Sequence, residues 1–278
     1  MIRIMVDSAS DCRNNEIYDK FISMSINIDG KEYLDGQTLD NEMFYSLLTE
    51  SKEFPQTSQP SPGDFAEYFE QVKEAGDELI YFAISSGLSG TFQSANIAKD
   101  MVEYDGIYII DTKTASHMIG LLAKHAKKLV VEGKSATEIV AGCEELKDRI
   151  RLYAGLDTLE YLKRGGRIGK ASALVGTLAN IKPVITVSNE GGVDAVGKAL
   201  GVPRAIQMMV EKLKADEIDE DFPICSLYTY GQEHVEKLEK KLEGEGYSIF
   251  ERLQIGSTIG THVGPGVYGL FYVVKKEN

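Results

Sequence analysis

Residues 84–95, ISSGLSGTFQSA, place five hydroxyl side chains and two glycines between an apolar strand and a predicted helix. The first amides of a helix have no intrahelical acceptor, and that end of the helix dipole is positive. Hydroxyls of Ser86, Ser89 and Thr91 at this point would therefore surround a carboxylate or a phosphate. In the alternative interpretation Ser89 only caps the helix, and Ser85 and Ser86 are ordinary polar residues at a strand end. This stretch alone leaves both interpretations open.

A second loop rich in hydroxyls, residues 56–63 (QTSQPSPG), precedes another predicted helix. Ser61 at the N-cap and Pro62 at the first helical position account for its second half. They do not account for Thr57 and Ser58. On the sequence of this loop alone, these two residues are best interpreted as ordinary solvated loop residues.

Two glycine-containing segments of the second half carry polar side chains that are candidates for contacts with a ligand or a partner. His262 lies in STIGTHVGPG, where the glycines permit a close approach of the backbone. A histidine among small residues is more often a hydrogen-bonded structural group than a ligand contact. Arg164, Arg167 and Lys170 form a basic cluster around a glycine pair. This cluster is either a solvated loop or a docking point for a phosphate donor or an acidic partner.

Three catalytic or nucleotide-binding motifs are approached but not completed. Gly169-Lys170 lacks the earlier glycine and the following Ser or Thr of a phosphate-binding P-loop. The GxGxxG spacing at 264–269 is followed by LFYVVKKEN, where a dinucleotide site requires a helix and then an acidic residue. Ser89 lacks the second glycine of the GxSxG nucleophile elbow. A serine hydrolase is therefore disfavoured but not excluded, and no metal site is predicted, because the histidines and cysteines lack metal-ligand spacing.

A parallel sheet would bring these polar residues together. The strands RIMV, ELIYFAI and GIYII alternate with helices predicted at 63–75, 90–102 and 115–132. This alternation is typical of a parallel sheet covered by helices. The strands end in the pairs Asp7-Ser8, Ser85-Ser86 and Asp111-Thr112. In such sheets the carboxyl ends of the strands open into the crevice where ligands bind.

Two further predictions complete an α/β fold. Residues 23–36 are predicted to form a hairpin that turns at Asp29-Gly30 and adds to the edge of the sheet. A second α/β unit with a mixed sheet is predicted from about Arg151, with helices near 204–213 and 234–243. The predicted domains are residues 1–152 and 153–278, each a β-sheet flanked by helices.

Composition limits the classes of partner. The 278 residues carry 43 acidic and 30 basic side chains, a net charge of -13, which disfavours nonspecific binding to nucleic acid or to an anionic membrane. Neither an export signal nor an apolar run long enough to span a bilayer is visible. The three cysteines are widely spaced. We therefore expect a cytoplasmic protein with reduced thiols and without stable membrane insertion.

Six segments in this order resemble the DegV family of bacterial fatty-acid-binding proteins, along essentially the whole chain. They are DSASD (7–11), TSQPS (57–61), SSGLSGTFQSA (85–95), DTKTAS (111–116), LEYLKRGGRIG (159–169) and IGTHVGPG (259–266).

The resemblance implies a two-domain protein that encloses one long-chain fatty acid between its domains and requires no cofactor. By motif, Thr57, Ser86 and Ser89 are the implied head-group contacts, with Ser58 and Ser85 nearby. The resemblance also implies that His262 lies near the same end of the ligand. In such systems the protein has no chemistry of its own and presents its acid to a separate ATP-dependent fatty acid kinase.

One segment departs from the family pattern. The strand before the predicted helix at 204–213 carries an arginine and further basic residues in the family, whereas this chain has GKALGVPRAI. This departure argues against kinase docking through that strand, although Arg167, Lys198 and Arg204 remain available to contribute. The residues predicted to dock a partner are Arg164, Arg167, Lys170 and Arg204.

A lipid ligand is physically reasonable. About fifteen buried methylenes at roughly 0.8 kcal/mol each contribute on the order of 12 kcal/mol before ordering costs. Neutral hydroxyls and helix amides then suffice to satisfy the carboxylate. Two alternatives remain open on the sequence: a serine-based enzyme that acts on a small phosphorylated or carboxylated metabolite through Ser89, and an interaction module with an incidental cavity.

Overall fold

The structure is a computed structural model that describes residues 1–175 and 180–276. The chain divides into two compact units, Met1–Asp148 and Arg149–Asn278. Each unit has its own sheet and its own buried apolar core.

The strands of the first unit are β1 (Ile2–Asp7), β2 (Lys20–Ile22), β3 (Ser25–Ile28), β4 (Lys31–Leu34), β5 (Gln56–Ser58), β6 (Glu78–Ala83) and β7 (Ile107–Asp111). Its helices are α1 (Asn41–Glu50), α2 (Pro62–Glu74), α3 (Thr91–Val102), α4 (His117–Val131) and α5 (Ala136–Arg149). Four strands form a parallel sheet in the order β2-β1-β6-β7. The predicted α/β class and the parallel sheet in the first half are confirmed.

The core of the first unit packs α2 and α3 onto one face of the parallel sheet. Phe65 and Phe69 of α2 lie against Tyr81 of β6 in a cluster that includes Met5 of β1. All four side chains are fully buried. Strand β6 is apolar on both faces, as a central parallel strand requires. The hydroxyl-rich segment therefore begins at the end of a strand that is packed on both faces.

The start of α2 follows the predicted capping pattern. Ser61 accepts a hydrogen bond from the amide of Asp64, the Asp64 side chain accepts one in return from the amide of Ser61, and Pro62 occupies the first turn. The second half of the loop at 56–63 is thus a helix start.

The predicted hairpin is present, but its place in the fold differs from the prediction. Strands β3 and β4 pair antiparallel around Asp29-Gly30, which both have positive φ. The hairpin extends a small sheet of order β4-β3-β5, and in the described part of the chain it does not extend the parallel sheet. Strand β5 is the third strand of this small sheet, since residues 56–58 are extended and pair with β3.

The second unit is built on a six-stranded mixed sheet. Its strands are β8 (Ile150–Gly155), β9 (Ile181–Val187), β10 (Val193–Leu200), β11 (Cys225–Tyr228), β12 (Glu251–Gln254) and β13 (Tyr268–Val273), in the order β10-β9-β8-β13-β11-β12. Its helices are α6 (Glu160–Arg164), α7 (Val202–Ala215), α8 (Glu233–Gly244) and α9 (Ser257–Val263). Strands β11 and β12 are parallel, and the other neighbours are antiparallel. The predicted mixed sheet and the helices near 204–213 and 234–243 are confirmed.

The core of the second unit lies between this sheet and α7 and α8. Met209 and Val210 of α7 and Leu238 of α8 pack with Tyr268 and Leu270 of β13. Tyr268 passes over Gly155 of the neighbouring strand, where a Cβ atom would lie 2.5 Å from its ring. Gly155 is therefore required for the close packing of β8 and β13.

Within residues 1–175 and 180–276, no helix combines the length and the apolar character needed to cross a bilayer. The same residues contain no group of three or more His, Cys, Asp or Glu side chains arranged to hold a metal ion.

Candidate functional site

The hydroxyl-rich segment forms a tight turn between β6 and α3. The main-chain oxygen of Ser85 accepts hydrogen bonds from the amides of Leu88 and Ser89, at 3.0 and 3.1 Å. The Ser85 hydroxyl is fully buried and accepts a bond from the amide of Gly87 at 3.1 Å. Ser85 therefore shapes the turn through its main chain and its side chain.

A buried carboxylate fixes the start of this turn. Asp7 ends β1 and accepts hydrogen bonds from the amide of Ile84 at 2.9 Å and from the Tyr81 hydroxyl at 2.8 Å. It also accepts one from the amide of Ala9. Burial raises the pKa of Asp7 to about 6, although these hydrogen bonds act in the opposite direction. The first residue of the turn is thus attached to the neighbouring strand.

A second carboxylate holds Ser86 from the other side. Asp111 ends β7 and accepts hydrogen bonds from the Ser86 amide at 3.0 Å and from the Ser86 hydroxyl at 2.5 Å. Lys113 Nζ lies 2.6 Å from Asp111 Oδ2 and 3.0 Å from Ser86 Oγ. Burial alone would raise the pKa of Asp111, but the hydrogen bonds from Lys113 and Ser86 outweigh it and the pKa is lowered. Ser86, Asp111 and Lys113 therefore form a connected polar group at the exposed rim of the turn.

Ser89 lies where the turn passes into α3. Its Oγ is 2.8 Å from Thr91 Oγ1 and accepts a hydrogen bond from the Thr91 amide at 3.3 Å. Helix α3 begins at Thr91, one residue after the predicted start. The N-cap residue is Gly90 and not the predicted Ser89, but the Ser89 hydroxyl accepts a hydrogen bond from the first helical amide. Ser89 is half-buried.

The structure brings the second hydroxyl-rich loop onto this turn. Gln59, which follows β5, donates a hydrogen bond from Nε2 to Ser94 Oγ of α3 at 2.8 Å. A Cβ atom at Gly90 would lie 2.3 Å from Gln59 Oε1. Thr57 is half-buried on β5 opposite Ile26 and is not an irregular loop residue. The two segments singled out in the first half of the sequence therefore meet at the start of α3.

Ser58 has a different environment. It pairs with Ser25 at the end of β5 and is exposed. Its predicted place near the head group, like the predicted roles of Thr57, Ser85, Ser86 and Ser89, stays a prediction.

In the second unit, His262 packs against the glycine pair of the basic cluster. It lies on α9, half-buried, and a Cβ atom at Gly165 would be 2.3 Å from its Nδ1. Burial lowers the pKa of His262 to about 4, and the nearby Arg167 cation adds to this effect. Arg167 Nη1 in turn donates to the main-chain oxygen of Gly165 at 2.5 Å. His262 is therefore a neutral imidazole at neutral pH, next to a permanent cation.

The other three predicted docking residues, Arg164, Lys170 and Arg204, have different surroundings. Arg164 pairs with Glu160 of the same short helix at 2.6 Å, and Lys170 lies 3.2 Å from Glu190. Arg204 is exposed in the first turn of α7. Arg164 and Lys170 thus have acidic neighbours. The docking role of Arg164, Arg167, Lys170 and Arg204 stays a prediction.

A cavity of about 720 Å³ lies within the second unit beside α6. Its lining combines apolar side chains such as Leu159 and Pro183 with charged ones such as Asp157, Lys163 and Arg164. Arg164 therefore borders a concave surface of this unit.

Comparison with known proteins decides the family. A sequence model described as "Uncharacterised protein, DegV family" matches residues 1–275. The chain belongs to the DegV family. A DegV domain-containing protein from Caldanaerobacter subterraneus subsp. tengcongensis is 37% identical over 279 residues, 99% of each chain. The predicted family is confirmed.

Solved DegV structures share the fold. A DegV family protein from Thermus thermophilus, described as binding fatty acid, has a TM-score of 0.89 and 32% identity, and the match covers 99% of each chain. A stearic-acid-binding protein from Eubacterium ventriosum has a TM-score of 0.85 and 28% identity, again over 99% of each chain. The DegV neighbours therefore support the predicted two-sheet α/β architecture and associate it with fatty acids.

The sequence alone does not identify several residues that hold the turn between β6 and α3. Asp7 and Asp111 were recognised as polar strand ends, but their role in holding the turn was not. Tyr81, Lys113 and Gln59 were not singled out at all. Tyr81 lies in an apolar strand and gives no signal, whereas Lys113 and Gln59 lie inside the DTKTAS and TSQPS motifs, which mark the segments but not the contacts.

Proposed function

We propose that this protein binds one long-chain fatty acid and holds its carboxylate at the turn after β6. The similarity to fatty-acid-binding DegV structures over 99% of the chain supports the ligand class. The observation that carries the site is the contact of Gln59 with Gly90 and Ser94, which joins the loop of Thr57 to the turn of Ser86 and Ser89. The loop of Thr57 and the turn of Ser86 and Ser89 thus meet at the start of the same helix.

The chemistry of the turn suits a carboxylate on an apolar chain. Helix α3 is 12 residues long, and the amides of its first turn and its positive dipole end lie at the turn. An anion there gains charge-assisted hydrogen bonds. The acyl tail supplies affinity, since about fifteen buried methylenes are worth on the order of 12 kcal/mol before ordering costs. The hydroxyls need only satisfy the head group.

We further propose that the protein is a carrier in the cytoplasm and presents the bound carboxylate to a separate ATP-dependent fatty acid kinase. A carrier role agrees with the incomplete nucleotide-binding motifs of the sequence. In this proposal Arg167 and Arg204, with Arg164 and Lys170, contact the acidic surface or the phosphate donor of the kinase. The family motif GTHVGPG supports a head-group role for His262 in the same proposal.

One contact favours a serine-based enzyme, with Ser86 as the nucleophile in place of the predicted Ser89. Lys113 Nζ lies 3.0 Å from Ser86 Oγ, a spacing that nucleophilic serine enzymes with a lysine base use. Here, however, Lys113 is also ion-paired with Asp111 at 2.6 Å, as an ammonium group. An ammonium donates a hydrogen bond and cannot accept the serine proton. The carrier therefore remains the better proposal.

Extraction of the purified protein tests the ligand. Protein that is denatured and extracted with organic solvent is expected to release about one fatty acid per chain by mass spectrometry. Delipidated protein is then expected to take up oleate or palmitate with the same stoichiometry. Recovery of no fatty acid, together with no uptake, contradicts the proposal. Turnover of a small ester or phosphate that Ser86→Ala abolishes would favour the enzyme.

Reconstitution tests the partner. Loaded protein is mixed with ATP and a kinase subunit from the same genome, and acyl phosphate is trapped with hydroxylamine. We expect Arg204→Glu to lower the rate about tenfold while oleate binding stays unchanged, because charge reversal acts on association. Lys212→Glu, which changes the charge in the last turn of the same helix, is the control. Equal rates for both variants contradict docking through Arg204.

A further inference from the structure

The Asp111–Lys113 ion pair stands at the place proposed for the ligand head group. Asp111 Oδ2 accepts a hydrogen bond from the Ser86 hydroxyl at 2.5 Å, and Lys113 Nζ lies within 3.0 Å of both Ser86 Oγ and Asp111 Oδ2. Both charged side chains are partly exposed, at 33% for Lys113 and 13% for Asp111. A fatty-acid carboxylate at Ser86 would therefore compete with Asp111 for the single hydroxyl proton and would lie close to a second carboxylate.

Two carboxylates around one hydroxyl repel each other unless a cation lies between or beside them. Lys113 is in that position. Lys147 also contacts Asp111, but it donates to the main-chain oxygen, and its ammonium is paired with Glu144. Lys113 is thus the cation whose ammonium contacts the Asp111 carboxylate.

The backbone around Lys113 is bent in a way that allows this contact. Lys113 has a φ of 53°, in the left-handed region that non-glycine residues seldom adopt. Its amide approaches Asp111 Oδ1 at 3.3 Å. Asp111 therefore contacts both the main chain and the side chain of Lys113, and it does the same with Ser86.

We propose that Lys113 is the charge-balancing residue of the head-group site: it neutralises Asp111, so that Asp111 can fix Ser86 without repelling the carboxylate of the ligand. This inference rests on the proposed fatty-acid binding and deepens it. Lys113 acts here through Asp111 and is a positioning residue. The site then favours a singly charged acid over a neutral lipid, because Lys113 and Asp111 together leave the positive end of α3 uncompensated.

A double-mutant cycle tests the coupling. Dissociation constants for oleate are measured by calorimetry on delipidated full-length protein for the wild type, Lys113→Met, Asp111→Asn and the double variant. We expect Lys113→Met to weaken binding about tenfold, because Asp111 then repels the ligand. The double variant is expected to recover to within about threefold of the wild type. The loss in Lys113→Met is expected to shrink at high sodium chloride concentration, since salt screens this repulsion.

Three variants serve as controls. Lys113→Arg keeps the charge and is expected to bind like the wild type, whereas Lys113→Gln keeps a donor without the charge and is expected to show the same loss as Lys113→Met. Lys127→Met removes a lysine whose Nζ lies 3.9 Å from Asp19, away from the turn, and is expected to leave binding unchanged. Should Lys113→Met fold poorly, Lys113→Gln carries the same comparison.

The outcomes separate this inference from the proposed function. If Lys113→Met and Lys113→Gln bind oleate as tightly as Lys127→Met, the inference is overturned while the fatty-acid proposal stands. If the double variant stays as weak as Lys113→Met, Lys113 acts directly and not through Asp111, which also overturns it. Wild-type protein that takes up no fatty acid overturns both.

Discussion

Gln59 lies directly on Gly90, so that a Cβ atom at position 90 would be 2.3 Å from Gln59 Oε1 and 2.8 Å from Nε2. The same amide donates to Ser94 Oγ at 2.8 Å. Gly90 has a negative φ of -76°, which other residues also adopt, so glycine serves here for space and not for conformation. This contact is what places the loop of Thr57 beside the turn of Ser86.

Gly90→Ala is expected to separate the two loops at little cost in stability. Gln59 is a flexible side chain that can turn away, so we expect the free energy of unfolding to fall by about 1 kcal/mol, the worth of its hydrogen bond to Ser94. Oleate affinity is expected to fall about tenfold, because the hydroxyl donors lose their alignment. Urea unfolding and calorimetry measure the two effects.

Gly63→Ala is the matched control for this substitution. A Cβ atom there would meet Ser61 Oγ at 3.6 Å, an ordinary contact in the first turn of α2. It is expected to leave affinity unchanged. Equal affinities for Gly90→Ala and the wild type would show that the loops bind independently.

The head-group hydroxyls are expected to contribute separately to affinity. Ser86→Ala and Thr57→Val each remove one hydroxyl and are expected to weaken oleate binding about ten- to a hundredfold, because a hydrogen bond to a charged group contributes roughly 1.5–3 kcal/mol. Ser46→Ala, at an exposed position of α1, is the control. Full affinity in the double variant Ser86→Ala/Thr57→Val would remove both residues from the site.

Asp7 is expected to make stability depend on pH. Its pKa is raised from 3.8 to about 6 in the folded protein, so the stability it provides is complete below about pH 4 and is lost as the pH rises through 6. Between these values the wild type is expected to lose roughly 3 kcal/mol relative to Asp7→Asn. Urea unfolding of both proteins at several pH values measures the difference, and parallel curves would show that Asp7 does not titrate in this range.

His262 is expected to stay neutral until the solution is distinctly acidic. Burial and Arg167 lower its pKa from 6.5 to about 4, so the imidazole proton signals in NMR are expected to titrate near pH 4. Gly165→Ala forces a Cβ atom against Nδ1 and is expected to expose the ring and raise this pKa toward 6.5.

Gly192→Ala is the control for the His262 experiment, since a Cβ atom there meets nothing within 4 Å. The stability that His262 contributes is complete above pH 6.5 and is lost as the pH falls through about 4. A titration midpoint near 6.5 in the wild type would contradict the buried position of the ring.

Sequence patterns located most of the elements, and their errors have local causes. Helices α2, α3, α4, α7 and α8 were predicted from apolar periodicity and lie within a few residues of the predicted bounds. Helices α1 and α5 were not predicted, although Asp40 caps α1 and Ser135 with Glu138 caps α5. Helix α9 is short, and its glycines resemble a loop.

What the sequence by itself determined is the set of parts: the strands that end in polar pairs, the capped helix after TSQPS, and six motifs that mark a DegV protein. These depend on neighbouring residues, which a linear pattern contains. Only the tertiary structure decided which parts meet. Asp7 contacts Ile84 across 77 residues of sequence, and Gln59 contacts Ser94 across 35. The tertiary structure also sets the pKa values of Asp7 and His262. Desolvation depends on all the groups that pack around a side chain, and most of these are distant in sequence.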